Sequence, residues 1–269
     1  MSSLSSIPLL SLLISSDGSL THPSEQAATV FQHPWALEVS GQLRDCLQSN
    51  ASWIGMRRRA DETGQAPPVK MLDYACGFGL VSRTLHDHAD VIRGVDVSDT
   101  MVASYNDISR ASGIPPDRMR AVRGNLLDAE GDAKPLAGPD FHDADAAFVS
   151  MALHHVSDPQ LLLARLAQRL APGGVLVVMD WLVGDADTAR AFRPHHHHHH
   201  EQDTADAHHT ISRGGFSADE MRGLFDGAGC DPDTFDLRPN KEATYMPEEI
   251  SKVEGGVHMT FFIAKARKP

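Results

Sequence analysis

The chain has little positive charge for its length. Its 269 residues include 24 lysines and arginines against 36 aspartates and glutamates, which gives a formal net charge of −12. The single dense basic cluster is the arginine run at 57–59. Because binding to a phosphate backbone normally requires a basic patch, we expect no nucleic-acid partner.

Long apolar runs are also missing. The run at 7–14 is far too short to span a bilayer, and the first lysine or arginine of the chain is Arg44. A signal peptide needs a basic segment in front of its apolar core, and a mitochondrial presequence needs arginines. We therefore interpret this run as a short packing segment and predict no membrane partner.

Cysteine is scarce, with only Cys46, Cys76 and Cys230. An odd number without framework spacing favours a reducing interior over secretion, so we predict a cytoplasmic protein. The length suffices to bury a substantial core. We expect an N-terminal helical extension or cap at 1–65 and one main domain at 66–269, separated by the polar, proline-ended stretch 60–68.

The chain does contain a regular alternation of strand and helix patterns. Strands are predicted at 69–75, 91–96, 119–124, 145–150, 174–181, 233–238 and 257–265. Helices are predicted at 24–60, 80–89, 99–112, 159–171 and 217–228. Such alternation is typical of an α/β fold, in which helices cover both faces of a mainly parallel sheet.

The most informative segment spans residues 69–101. A strand ends at Asp73, a turn with Gly77 and Gly79 leads into a helix, and a second strand ends at Asp96. Glycines let the backbone approach a ligand closely, and the start of a helix presents unpaired N–H groups. An acid at the end of the second strand suits the two hydroxyls of a ribose. This segment therefore predicts a nucleotide site.

The first acid indicates which nucleotide binds. A carboxylate at Asp73 would repel a dinucleotide pyrophosphate but attract a cation. S-adenosylmethionine carries an ammonium and a sulfonium, so the pair Asp73 and Asp96 points to a methyl donor. The competing nicotinamide or flavin interpretation needs a third glycine in G-x-G-x-x-G, and Ser82 stands at that position.

The stretch DYACGFGLVSRTL at 73–85 resembles the DYACGxG first motif of fungal-type small-molecule enzymes in the class I (Rossmann-like) S-adenosylmethionine-dependent methyltransferase family. The resemblance covers about residues 66–269. It implies a Rossmann-like three-layer sandwich around a seven-stranded sheet whose last strand is antiparallel. Ala75 stands where many relatives have glycine, and Phe78 replaces the commoner threonine or serine.

The resemblance also assigns roles around the donor. Asp73 would serve the methionine end, Asp96 the ribose, and Asn125 or Asp128 the adenine amine, with Leu126 and Leu127 as apolar cover. Cys76 is interpreted as a small packing residue of the turn. The complete predicted cofactor-binding set is Asp73, Ala75, Cys76, Gly77, Gly79, Asp96, Val97, Met101, Asn125, Leu126, Leu127, Ser150 and Met151.

His154 and His155 follow the fourth strand and are the candidate catalytic residues. A histidine titrates near neutral pH and can take a proton from an acceptor. The alternative is that the pair only packs or orients its loop. The resemblance places part of the acceptor pocket after the fifth strand, with the candidates Trp181, Phe192, His208, His209 and Phe216. The histidine run at 195–200 lacks the defined spacing of a ligand set, so no metal is predicted.

We therefore predict a methyltransferase that uses S-adenosyl-L-methionine and a small-molecule acceptor. The acceptor would attack the methyl group in line through a hydroxyl, amine or carbon, and alignment alone can supply much of the rate. The enzyme would be a monomer or homodimer. The alternatives are a protein methyltransferase, a noncatalytic adenosylmethionine-binding regulatory protein and a nicotinamide-dependent oxidoreductase.

Overall fold

A computed structural model describes residues 33–56, 67–128, 136–183, 213–251 and 253–269. The first described helix, α1 (Pro34–Ile54), begins with a proline, whose missing N–H would have no partner there in any case. It ends at Gly55, which has the left-handed conformation that favours glycine. The helix predicted at 24–60 is thus observed over Pro34–Ile54 and ends before the predicted limit, while residues 24–32 and 57–60 lie outside the described residues.

Seven strands form the central sheet. They are β1 (Lys70–Tyr74), β2 (Val91–Asp96), β3 (Met119–Arg123), β4 (Ala144–Ser150), β5 (Leu170–Trp181), β6 (Asp231–Pro239) and, at the end of the chain, β9 (Phe261–Arg267). Their order is β3-β2-β1-β4-β5-β9-β6. The first five strands are parallel, and β9 runs antiparallel between β5 and β6. The predicted Rossmann-like sheet with an antiparallel last strand is confirmed.

The last predicted strand is divided in the structure. A short hairpin, β7 (Thr244–Met246) and β8 (Val257–Met259), forms a separate two-stranded sheet. After Thr260 the chain changes partner, and β9 pairs with β5 and β6. The prediction of one strand over 257–265 was therefore wrong at this point, because an apolar run does not reveal a change of pairing partner.

Helices cover both faces of the sheet, as predicted. After α1 they are α2 (Leu80–Thr84), α3 (Asp99–Ala111), α4 (Pro159–Gln168), α5 (Ala218–Gly227) and the short α6 (Glu248–Ser251). Side chains of the central strands alternate between two cores, so Met71 and Phe148 pack with α1 and α2, whereas Leu72 and Val149 pack with α4 and α5. Strands that are buried on both faces explain the nearly continuous apolar runs of the sequence.

Both outer strands of the large sheet have their edges protected. At β3 the Asn106 side chain donates to the Ala121 carbonyl at 3.0 Å and accepts from the Ala121 N–H at 2.9 Å. At the opposite border, β6 includes Pro232 and Pro239 among several acids. Proline and charge are usual means of blocking edge pairing.

The strand order reverses its direction of growth between β3 and β4, so β1 and β4 are neighbours at the centre of the sheet. In open α/β sheets, ligands bind outside the carboxyl ends of the strands at such a switch point. Among the described helices, none is both long and apolar enough to cross a membrane.

Candidate functional site

Two glycines, Gly77 and Gly79, form the turn after β1, and their surroundings differ. Gly79 has φ +80° and would place a Cβ atom 2.7 Å from the Tyr105 ring, so this position requires glycine for packing. Gly77 has φ +49°, and no described heavy atom lies within 4 Å of the place that a Cβ atom would take. The turn is therefore packed against the protein at Gly79 and leaves room for a ligand at Gly77.

Asp73 lies beneath this turn and is only 2% exposed. Its Oδ2 accepts from the Ser82 hydroxyl at 2.6 Å and from the Ser82 N–H at 3.2 Å. Burial raises the pKa of the Asp73 carboxyl to about 7, although the two Ser82 donors act in the opposite direction. Ser82, which the sequence marks only as a missing third glycine, is thus the residue that binds Asp73.

Two further residues of the predicted set shape the turn. Ala75 has φ +53°, in the left-handed region that favours glycine. Cys76 is buried, and a Cβ atom on Gly94 would lie 2.8 Å from its Sγ atom. Burial raises the pKa of the Cys76 thiol well above its ordinary value. These contacts agree with a packing role for Cys76.

Asp96 connects the ends of the first two strands. One carboxylate oxygen accepts from the Gly77 N–H and the other from the Ser98 N–H, each at 2.9 Å. A carboxylate has about four acceptor sites, so sites remain for two hydroxyl donors. Ser98 caps α3 by accepting from the Met101 N–H. Val97, next to Asp96, is 58% exposed, so an uncovered apolar side chain lies beside the acid.

The loop after β3 is held by its own hydrogen bonds. Asn125 Oδ1 accepts from the Tyr74 hydroxyl at 3.1 Å and from the Leu127 N–H at 3.0 Å, which uses both of its lone pairs. Asn125 Oδ1 therefore has no lone pair left for the adenine amine that the sequence analysis assigned to Asn125 or Asp128. Leu126 is 2% exposed in the core with α4 and α5, so the proposed apolar cover is corrected to the half-buried Leu127 alone.

The chain turns sharply after β4. Ser150 and Met151 are half-buried, and Met151 has φ +51°, which is uncommon for a residue with a side chain. A single 3₁₀ turn at Leu153–His155 follows, with Leu153 fully buried. Backbone strain of this kind is often found at functional sites.

An acid that the sequence analysis did not single out holds this turn. Asp180, near the end of β5, is fully buried. One of its oxygens accepts from His154 Nδ1 and from the Trp181 N–H, both at 2.7 Å, and the other accepts from the His154 N–H at 3.1 Å. The half-buried His155 ring lies 4.1 Å from the His154 ring. A lone acid in the apolar run VLVVMDWL was the available signal for Asp180.

The acceptor residues predicted after β5 are only partly within the described chain. Phe216 is fully buried in the core and has the Arg213 guanidinium 4.1 Å above its ring, so its predicted substrate contact is wrong. Trp181 is 4% exposed and packs in the other core. Phe192, His208, His209 and the histidine run at 195–200 lie outside the described residues. The described ranges contain no group of three or more potential metal ligands.

A comparison with protein families bears on the class of this site. Residues 72–178 match the methyltransferase-domain family model. The matched segment includes the glycine turn, Asp96, the loop after β3 and the His154–His155 pair.

Relatives and solved structures agree with this match. An uncharacterised methyltransferase of Schizosaccharomyces pombe is 36% identical over 160 residues, which is 60% of this chain and 52% of that protein. A ubiquinone biosynthesis O-methyltransferase of Saccharophagus degradans is 26% identical over 141 residues, 52% of this chain and 53% of that protein. The matches thus span about half the length of these relatives.

A solved structure from Bacillus halodurans C-125, assigned as a methyltransferase, superposes with a TM-score of 0.58. The identity is 14%, and the superposition covers 83% of this chain and 98% of that chain. At this identity the likeness shows the fold, which is that of Rossmann-like methyltransferases.

Proposed function

We propose that the protein transfers a methyl group from S-adenosylmethionine to a small metabolite. The observation that carries the proposal is the arrangement around Asp96. Its carboxylate joins the glycine turn to the start of α3 and keeps acceptor sites for two ribose hydroxyls. Open space at Gly77 and the exposed Val97 fit the remainder of a nucleoside.

The residues of this site suit the donor in charge as well as shape. The donor supplies a methyl group on a positively charged sulfur. Asp96 would bind the ribose, Val97 and Met101 would contact the adenine, and Ser150 and Met151 would lie near the methionine end. Asp73 lies under the turn and favours a cationic ligand when it is ionised, because opposite charges attract even through a buried site.

We further propose a small-molecule acceptor that reacts through a hydroxyl, amine or carbon. The name of the O-methyltransferase relative supports such an acceptor. His154 or His155 would take the proton that the acceptor loses, as the position beside the switch point suggests. Three free, buried cysteines are compatible with the cytoplasmic location that we propose, and we expect a monomer or homodimer.

The test is calorimetric titration of the metal-stripped full chain with S-adenosylhomocysteine, the donor without its methyl group, beside NAD. We expect binding of the thioether and none of NAD. Asp96→Ala should weaken the binding at least tenfold, which is about 1.4 kcal/mol. Asp99→Ala is the matched control, since this exposed acid at the start of α3 pairs with Arg123 and should not alter affinity.

Preference for NAD, or no binding to the wild-type chain, would reject the methyltransferase assignment. The acceptor class has its own test, in which methyl-labelled donor and enzyme are incubated with cell extract that is then separated into proteins and metabolites. Label in the metabolite fraction supports the proposal. Label in one protein band would favour a protein methyltransferase, and no transfer despite thioether binding would favour a regulatory protein.

A further inference from the structure

The Arg83 side chain on α2 reaches back to the glycine turn after β1. Its Nη1 atom donates to the Phe78 carbonyl at 2.6 Å. The main chain of Arg83 is held on both sides, since its N–H donates to the Gly79 carbonyl at 2.9 Å and its own carbonyl contacts His86 Nδ1 at 2.7 Å. The half-buried guanidinium is therefore attached to a fixed stretch of backbone.

The contact with Arg83 completes the hydrogen bonding of one peptide unit in the turn. The Phe78 carbonyl and the Gly79 N–H belong to the same planar unit. Arg83 donates to this carbonyl, and the Gly79 N–H donates to the Cys76 carbonyl at 2.7 Å. Rotation of the unit would break both hydrogen bonds and would change the φ of Gly79, which is +80°. Arg83 thus helps to fix the conformation of the turn.

Ser82 and Arg83, which are adjacent in α2, hold the turn at two places. Ser82 donates twice to Asp73, near the end of β1, whereas Arg83 donates to Phe78 within the turn. One helix therefore fixes both the strand end and the middle of the turn. In a dinucleotide motif the position of Ser82 is a glycine, which has no side chain for such a contact.

We infer that Arg83 is a positioning residue for the methyl donor and that it acts through the Phe78 carbonyl on the glycine turn. This inference rests on the proposed function, in which the donor binds at Gly77 and Asp96. Arg83 needs no contact with the donor for this role. A turn that is fixed before binding loses little conformational freedom when a ligand binds. The affinity for the donor should therefore depend on the hydrogen bond from Arg83.

The first measurement uses the full-length, ligand-free wild-type chain labelled with ¹⁵N-arginine. The guanidinium N–H groups of Arg83 should give separate, slowly exchanging NMR signals, because one of them donates to the Phe78 carbonyl and the group is half-buried. These signals are assigned as the ones that Arg83→Lys removes. Averaged signals, which indicate a freely rotating guanidinium, would overturn the inference even if a more drastic variant failed to fold.

Arg83→Met removes the hydrogen-bond donor and keeps an apolar stem. In the ligand-free chain we expect amide-exchange protection of the Gly79 N–H to fall by about tenfold or more, because its peptide unit loses one of two hydrogen bonds. Protection of the Met101 N–H, which donates to Ser98 at the start of α3, should stay unchanged. Unchanged protection at Gly79 would contradict the positioning role.

Calorimetric titration with S-adenosylhomocysteine measures the consequence for the donor. Loss of a hydrogen bond from a charged group should weaken the binding of Arg83→Met by about tenfold or more. Arg83→Lys keeps a cationic hydrogen-bond donor and should weaken the binding by about threefold at most. Affinity of Arg83→Met within about twofold of wild type would overturn the inference. Equal losses in the two variants would also overturn it, because they would indicate packing by the arginine stem.

Arg110→Met is the matched control. Arg110 on α3 is largely exposed and pairs with Asp107 at the surface, so its substitution should change neither exchange at Gly79 nor the affinity. A wild-type chain that fails to bind S-adenosylhomocysteine overturns the proposed function and with it the role of Arg83 toward the donor. Binding by the wild type together with equal binding by Arg83→Met overturns the inference alone.

Discussion

The carboxyl edge of the sheet has two sides that are held in different ways. On the β1–β2 side, Ser82 contacts Asp73 over 9 residues, and Gly77 and Ser98 contact Asp96 over 19 and 2 residues. On the β4–β5 side, Asp180 contacts His154, 26 residues away in sequence. Two of the three contact pairs on the first side, Ser82 with Asp73 and Ser98 with Asp96, are local in sequence, whereas the pair on the second side joins the ends of two strands.

The buried acids on the two sides also differ in their donors. Asp73 receives both of its bonds from one residue, Ser82, and on one oxygen. Asp180 receives three N–H groups distributed over both oxygens. Since a buried charge is costly unless it is hydrogen-bonded, we expect substitutions at Asp73 and Asp180 to have different consequences.

The largest effect is expected for Gly79→Ala on the β1–β2 side. The added Cβ atom would meet the Tyr105 ring at 2.7 Å on a backbone with φ +80°. Clash and left-handed strain together should lower the free energy of unfolding by about 2–4 kcal/mol, as measured by urea denaturation.

Gly77→Ala is the matched control for that variant. Its added Cβ atom has no described atom within 4 Å, so only the left-handed strain should lower the free energy of unfolding, by about 1–2 kcal/mol. The affinity for S-adenosylhomocysteine should nevertheless fall sharply, because the ligand would occupy this space. If either glycine variant changed amide-exchange protection at the His154 N–H, which Asp180 accepts, the two sides would not be independent.

An intermediate effect is expected for Asp73→Asn, and it should depend on pH. The pKa of the Asp73 carboxyl is about 7 in the folded protein, against an ordinary value of 3.8. Between these values the folded state holds a proton that the unfolded chain has lost, so this group makes stability fall as the pH rises toward 7. Between about pH 5 and pH 8, the free energy of unfolding of the variant should therefore decrease by about 2–3 kcal/mol less than that of the wild type.

Urea denaturation at several pH values checks this, with Asp99→Asn as the control, because the Asp99 side chain is largely exposed. Equal pH dependence of the free energy of unfolding in the wild type and in Asp73→Asn would show that the Asp73 carboxyl does not contribute to it.

The smallest effect is expected for glycine substitutions at the two non-glycine residues with left-handed backbone, one on each side. Ala75 and Met151 have φ +53° and +51°. Ala75→Gly should raise the free energy of unfolding by about 0.5–1 kcal/mol, because glycine adopts this conformation without strain. Met151→Gly should give no net gain, since it removes a half-buried side chain that packs on the core. A similar gain in stability for both variants in thermal melts would contradict this expected difference between the two sides.

The same contrast explains what the sequence could predict. The glycine turn, Asp96 and the Ser98 cap follow one another in the chain, so their spacing indicates their roles. Asp180 stands in an apolar strand pattern that predicts burial but names no partner. The burial of Leu126 and Phe216 also depends on tertiary packing, which periodicity does not describe. The donor half of the site was therefore more accessible to sequence reasoning than the acceptor half.

The fold was predicted further than the site because alternating strand and helix patterns are properties of local sequence. Five parallel strands and the antiparallel last strand agree with expectation. The divided end of the chain at Thr260 does not, since a run of apolar residues looks the same whether it pairs with one sheet or two. The function as a methyltransferase of small metabolites, and the division at residue 65, stay predictions.

The Asn106 amide, which is hydrogen-bonded to the outer edge of β3, affects how molecules of this protein associate at high concentration. A bare strand from a partly folded molecule finds the Ala121 donor and acceptor already taken, and the prolines of β6 offer no N–H group at the other border. Growth of the sheet from one molecule into the next is disfavoured at both ends. Newly synthesised copies can thus accumulate side by side with a reduced tendency toward intermolecular β-aggregation.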